Sequence, residues 1–360
     1  MKFNKMYYFY LLALGASLET DPVCPSYVCG QLPAFSCIQY DQKSNTNTVQ
    51  KCANGLYCQF NYTNPYQSVQ CKPEEKNRGY PGESCTSNED CLYGECQANK
   101  TCAGYHIGKE CNDTLNCDPG LYCKSSSTSP ISVCSPLIPA GLSGCTRSTE
   151  CSNLAYCNVS SLPENSYCQA SLSFRPGTLI SNCYNGINYM CEHLYCVTLP
   201  SGSFCTSTVP NIRNLPAVCQ DERDCISASD PFVGSFFVGN CSCGINPNAK
   251  KYCKLFPGDP AYTNYVFYLS LWLNSEKITN CNSKRRMSLP CIKTYTDEYN
   301  YNVLVYYIYL VDYYPQLQGN PSCVRESINT IFWESDEYLL DQPVESSSVF
   351  VLLLGALYLV

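Results

Sequence analysis

Histidine and tryptophan are nearly missing from this chain of 360 residues, with two of each, and charged side chains make up only 15% of it. With only His106 and His193, little general-base or metal-ligand capacity comes from imidazole. His193 lies in the short segment Cys191-Glu192-His193-Leu194-Tyr195-Cys196 and reads as a solvent-facing side chain. No His-Glu-x-x-His, Gly-x-Ser-x-Gly or phosphate-loop pattern occurs. Neither an enzyme nor a cofactor is expected. A basic stripe is also missing and the formal net charge is −7, so nucleic acid is not an expected partner. The one basic cluster, Lys284-Arg285-Arg286, reads as a solvated loop, with a protease-sensitive site of the secretory route as the alternative. Structural zinc sites usually use a Cys-x2-Cys hook, and no cysteine pair has that spacing; the closest pair is Cys241 and Cys243.

What the chain has instead is 30 cysteines. That density marks a disulfide scaffold made in an oxidising compartment, because cytosolic thiols are kept reduced. The even count allows complete pairing, although spacing alone does not give the connectivity.

The two ends fit export. Residues 1–17 combine Lys2 and Lys5, the apolar run Met6–Leu14 and small residues at Gly15-Ala16-Ser17, as in a signal peptide. Residues 346–360 end the chain in an apolar tail with no following Lys or Arg. Behind small residues, such a tail reads as a glycosylphosphatidylinositol attachment signal, with Ser346, Ser347 and Ser348 as candidate attachment residues. The usual polar spacer is almost absent. Attachment nearer Asp341 and a short membrane anchor therefore stay open.

Residues 18–253 read as a cysteine-rich repeat array. Cys85, Cys91, Cys96 and Cys102 form one four-cysteine unit. Cys111, Cys117, Cys123 and Cys134 form the next, and Cys145, Cys151, Cys157 and Cys168 repeat its intervals of five, five and ten residues. Looser units fall near 37–71, 183–205 and 219–253. Glycine stands three residues before Cys85 and Cys111, where a left-handed turn is expected. Leu-Tyr-Cys or its variant Ala-Tyr-Cys precedes the third cysteine at Tyr57, Tyr122, Tyr156 and Tyr195. Each tyrosine is expected to cover a disulfide with its ring and keep its hydroxyl in water. No unit has enough aliphatic residues for its own core, so bridges must carry the stability, at about 3 kcal/mol for a short loop in the chain-entropy model.

The Gly-x2-Cys-x5-Cys spacing followed by Leu-Tyr-Cys, clearest from Gly82 to Cys168, resembles the Dickkopf N-terminal cysteine-rich repeat. Repeats of this type recur in secreted and surface proteins of ciliated protists. The resemblance spans roughly residues 37–253 and implies an extracellular scaffold; Dickkopf ligands themselves bind cell-surface receptors. Seven residues separate Cys183 from Cys191, and the 219–253 unit departs further.

Five sequons mark candidate glycosylation sites at Asn61, Asn99, Asn112, Asn158 and Asn240. The last is the doubtful one, because a bridged Cys241 sits inside it.

Composition shifts after Cys253. Residues 254–341 are rich in Tyr and carry helical spacing at Tyr262, Tyr265, Val266, Leu269, Trp272 and Leu273, after an Asp259-Pro260 start signal. Tyr299–Tyr314 suits either a helix or a strand, and the helical neighbours favour a helix. Another short helix is expected through Ile328, Ile331, Phe332 and Leu339. The aromatic stripes read as core rather than as a sugar platform.

The expected fold is thus a small disulfide-rich repeat array of short β-hairpins and loops, followed by a mainly α-helical C-terminal domain that acts as a membrane-proximal stalk or base. The expected protein is anchored at the extracellular face of the plasma membrane. It would be a structural, adhesive or ligand-binding member of the cell coat, with the membrane, surface proteins and glycans as partners. The alternative is a secreted regulator, either a soluble ligand or a hydrolase inhibitor.

Overall fold

The computed structural model describes residues 23–328, apart from 63, 74–77, 126–130, 161–164, 182, 184–187, 200, 208–214 and 227–238. The expected signal peptide, Ser346, Ser347 and Ser348, the apolar tail, and all of the last expected helix beyond Ile328 lie outside the described residues.

All 30 cysteines are paired, in fifteen disulfides. Six successive units share one connectivity, first to third and second to fourth. In every unit the third and fourth cysteines face each other across antiparallel backbone, as Cys123 faces Cys134 and Cys157 faces Cys168. They do not bond to each other. Each takes one of the two preceding cysteines, so two parallel staples fix a hairpin to the turn before it.

The five-residue gap has a physical cause. Between the first two cysteines the chain makes a single 3-10 turn, at Asn88–Asp90, Thr114–Asn116, Ser148–Glu150 and Glu222–Asp224. The residue before the second cysteine reaches back to the N–H that follows the first. Asp90 accepts from Thr86, Asn116 from Asn112, Glu150 from Thr146 and Asp224 from Gln220, at 2.6–3.0 Å. A side-chain acceptor at that position closes the turn and satisfies a donor the helix leaves open. The 183–205 unit carries Met190 there, and its longer gap is not closed this way.

The first unit is elaborated into a five-stranded sheet in which Ser26–Cys29 runs parallel to Thr46–Val49. Two long-range bridges close the array. Cys24–Cys243 joins this sheet to the sixth unit, and Cys29–Cys323 joins it to the helical segment.

Four helices follow: α1 (Pro260–Leu273), α2 (Leu289–Tyr295), α3 (Glu298–Leu317) and α4 (Ser322–Ser327). The helical choice for the Tyr299–Tyr314 run holds, and Asp259 and Pro260 do start α1. The helical segment is not set apart from the array. Leu269, Trp272, Leu273, Ile278, Ile292 and Leu304 from the helical segment share one buried cluster with Tyr156, Met190 and Leu194 from the array. Val324 and Ile328 lie in another with Tyr27, Ile38 and Val49. The helices are the core that the thin repeats lack, and the array is wrapped on them. The physical reason is area: a unit whose buried apolar atoms are mostly sulfur, such as the Cys85–Cys102 unit, cannot close a core alone.

Candidate functional site

Among the described residues, chemistry-bearing side chains come together at the loop closed by Cys281–Cys291 and at a cleft where the first and last repeats meet α3.

The loop carries Lys284-Arg285-Arg286, and each basic residue holds a different repeat. Lys284 Nζ meets Asp113 of the third unit at 2.7 Å. Arg285 Nε donates to Glu83, just before the second unit, at 3.0 Å, and its guanidinium lies 4.6 Å from the Tyr80 ring centre. Arg286 donates to the carbonyls of Ser148, Ser152 and Ala155 in the fourth unit and lies over Tyr156. Arg286 is only 4% exposed. The expected solvated loop is therefore corrected: a planar cation with five donors satisfies buried carbonyls that no apolar residue could reach. Asn282 donates to Thr114 O and Cys117 O, and in reverse Asn153 donates to Ile278 O and Cys281 O. Both asparagines cap the end of a 3-10 turn on the opposing piece. Asp113 is held below the usual carboxylate range. Burial works the other way, but the Leu115 N–H and Lys284 outweigh it.

The repeated tyrosines depart from expectation. Tyr156 and Tyr195 bury their hydroxyls and dock on neighbours. Tyr156 stacks on Tyr189, and Tyr195 on Tyr262 of α1 with ring centres 5.7 Å apart.

The cleft has a volume of about 350 Å³. Tyr27, Phe60, Tyr62 and Pro65 come from the first unit and its sheet, Asn240, Ser242–Ile245 and Lys254 from the last unit and its end, and Asp312, Tyr313 and Gln316 from α3. Phe60 packs edge-on to Tyr62, and Tyr62 stacks on Tyr313 with centres 4.2 Å apart. Helix α3 kinks here: Tyr313 has a non-helical backbone two residues before Pro315, whose ring cannot continue a regular helix. Gln316 Oε1 is buried and has no hydrogen-bond partner. Although Asp312 is exposed at the rim, desolvation raises its carboxyl pKa, an effect Lys254 partly offsets. The Cys24–Cys243 bridge and an Asn320 amide bond to Ile245 O at 2.8 Å fix the walls. A second cleft of about 630 Å³ lies beside Arg285 and Glu83, but Glu83, Asp90 and Arg285 are already committed to the docking and turn contacts described above.

The sequence-marked residues fall around the outside. Asn61, Asn99, Asn112 and Asn240 are exposed. Asn158 is half-buried and its amide donates to Tyr167. Asn240 and Ser242 line the cleft, and the Cys241 between them is bridged to Cys219. His193 is exposed, and His106 pairs with Asp118 at 2.6 Å at the junction of the second and third units. The framework cysteines Cys85 to Cys168 all lie in the staples. In five units three sulfurs come within 4.8 Å of one another, but each is spent in a bridge and none is a thiolate ligand. Missed in the sequence were the acceptors Asp90, Asn116, Glu150 and Asp224. Their signal was there: an acidic or amide residue directly before the second cysteine of each.

Among the described residues no helix is long and apolar enough to cross a membrane. Fifteen disulfides and no free thiol mark an extracellular or secretory-pathway protein. No family model, curated protein or solved structure matches the chain.

Proposed function

We propose that this is a non-catalytic protein of the extracellular coat, held at the cell surface by its C-terminal tail, whose wrapped repeats present binding surfaces to other surface proteins or glycans. The observation that carries the reading is the complete pairing of 30 cysteines in a chain whose repeats pack on, or hydrogen-bond to, the helical segment. Covalent bridges brace such a body against the conditions outside the cell. The unit spacing resembles the Dickkopf-type repeat, which fits an extracellular scaffold, but a cysteine framework fixes a scaffold and not a function.

The test is surface labelling of cells expressing the full chain, with and without a phosphatidylinositol-specific phospholipase. Release of the labelled chain supports lipid anchoring. A labelled chain that keeps residues 349–360 and resists release has a membrane-inserted tail instead. A soluble mature chain in the medium is the secreted regulator. A reduced chain in the cytosol overturns the proposal.

A further inference from the structure

The cleft between the first unit, the last unit and α3 is built for more than filling space. Its walls divide into two chemistries. One is aromatic, with Tyr62 in ring contact with both Phe60 and Tyr313. The other is polar, with Asn240, Ser242, Lys254, Asp312 and Gln316. The two formal charges are of opposite sign, so the cleft favours neither an anion nor a cation. Gln316 lines the same cleft, with its side-chain oxygen buried behind the lining and without a hydrogen-bond donor.

A pyranose ring matches that division. It has one apolar C–H face, which packs on an aromatic wall, and a rim of hydroxyls, each able to donate and accept. Uncharged polar ligands of this kind gain specificity from a few placed amide and carboxylate groups in an otherwise apolar cleft. The volume lies near the lower end of the range for small-molecule sites, which is roughly 300–1,000 Å³ and fits one or two sugar units. We propose that this cleft binds a neutral saccharide, with Tyr62 and Tyr313 as its aromatic wall and Asp312 and the Gln316 side-chain amide as its hydroxyl partners.

The saccharide has two sources, which experiment separates. It belongs to another molecule, or it is the inner part of a glycan carried on Asn240, since Asn240 and Ser242 themselves line the cleft. The inference deepens the extracellular reading and depends on it only for access to glycans. Surface labelling of the same chain tests that reading independently.

The full chain, purified from an oxidising expression host, is tested on immobilised neutral oligosaccharides ending in mannose, glucose, galactose or N-acetylglucosamine. Sialylated and sulfated glycans serve as charged controls. Binding of a neutral glycan by the parent supports an external source. Binding that appears only in Asn240→Gln, together with a glycan on Asn240 by peptide mass spectrometry, supports the chain's own glycan as the occupant. In either case Asp312→Asn and Tyr313→Leu are expected to weaken binding about tenfold or more. Asp312 is exposed, so its variant is expected to melt with the parent and keeps the test clear of misfolding. The proposal is overturned if neither parent nor Asn240→Gln binds a neutral glycan, if only charged glycans bind, or if Asp312→Asn leaves binding unchanged.

Discussion

Arg286 lies over the ring of Tyr156, its guanidinium carbon 4.0 Å from the ring centre, while its nitrogens hold three carbonyls of the same repeat. Arg286 thus joins three carbonyls of the fourth unit to the loop through one side chain, beside the Asn153 and Ser283 contacts. Replacing Arg286 with Lys keeps the charge and loses the planar fork, leaving buried carbonyls without donors. We expect Arg286→Lys to cost about 2–3 kcal/mol in thermal unfolding. Lys284→Ala removes a contact between half-exposed groups and is expected to cost less than about 1 kcal/mol. Equal losses from both would show that the loop is not docked as described.

Two glycines separate backbone strain from docking. Gly120 has φ +83° with open space around it, and Gly82 has φ +89° with the Asn280 carbonyl where a side chain would go. Gly120→Ala is expected to cost about 1–2 kcal/mol, from left-handed strain alone. Gly82→Ala adds a clash between the second unit and the core and is expected to cost about 3 kcal/mol or more. Denaturant melts of the two variants make the comparison.

How far the sequence reaches is visible at these positions. The need for left-handed glycine before Cys85 was legible, because a short cysteine loop must reverse and only glycine does so freely. The unit boundaries were legible from cysteine spacing. The helical character of α1 was legible from its apolar period and its Asp-Pro start. The destination of the helices was not. Nothing in the local pattern of Lys284-Arg285-Arg286 separates a solvated loop from a buried latch, because the carbonyls it satisfies lie more than a hundred residues away. The same holds for the cleft, whose walls come from three distant stretches of chain. Its Tyr313 lay within the Tyr299–Tyr314 run but in no stripe with an assigned role, and the kink before Pro315 together with the arrival of Phe60 and Tyr62 forms that part of the cleft.

Buried tyrosines make the fold sensitive to alkali. Burial pushes the pKa of Tyr189 and Tyr195 up to about 12, with the Thr263 hydrogen bond offsetting part of the rise at Tyr195. Unfolded tyrosine ionises near pH 10, so above that pH the unfolded chain has released protons that the folded chain still holds. The stability tied to these residues is complete below about pH 10 and is lost as pH rises toward about 12. Ultraviolet titration should show a late class of tyrosines ionising together with loss of near-ultraviolet circular dichroism. Ionisation of every tyrosine near pH 10, without loss of structure, would contradict the packing of these two rings.

The last prediction concerns the Cys281–Cys291 bridge, which closes the loop bearing all three basic residues. Trypsin needs several residues of extended, accessible chain around Lys or Arg. Here Arg286 is buried, Trp272 Nε1 holds its carbonyl at 2.9 Å, and Asn282 and Ser283 are pinned to the third and fourth units. The native chain is therefore expected to resist cleavage after Lys284, Arg285 and Arg286 for as long as it stays folded. Changing both Cys281 and Cys291 to Ser removes a short-loop staple worth about 3 kcal/mol and frees the loop from its frame. Cleavage at the three basic residues should then precede global unfolding, and peptide mass spectrometry of timed digests reads it directly. Rapid cutting there in the parent chain would restore the solvated loop and remove the latch on which the docking of three repeats depends.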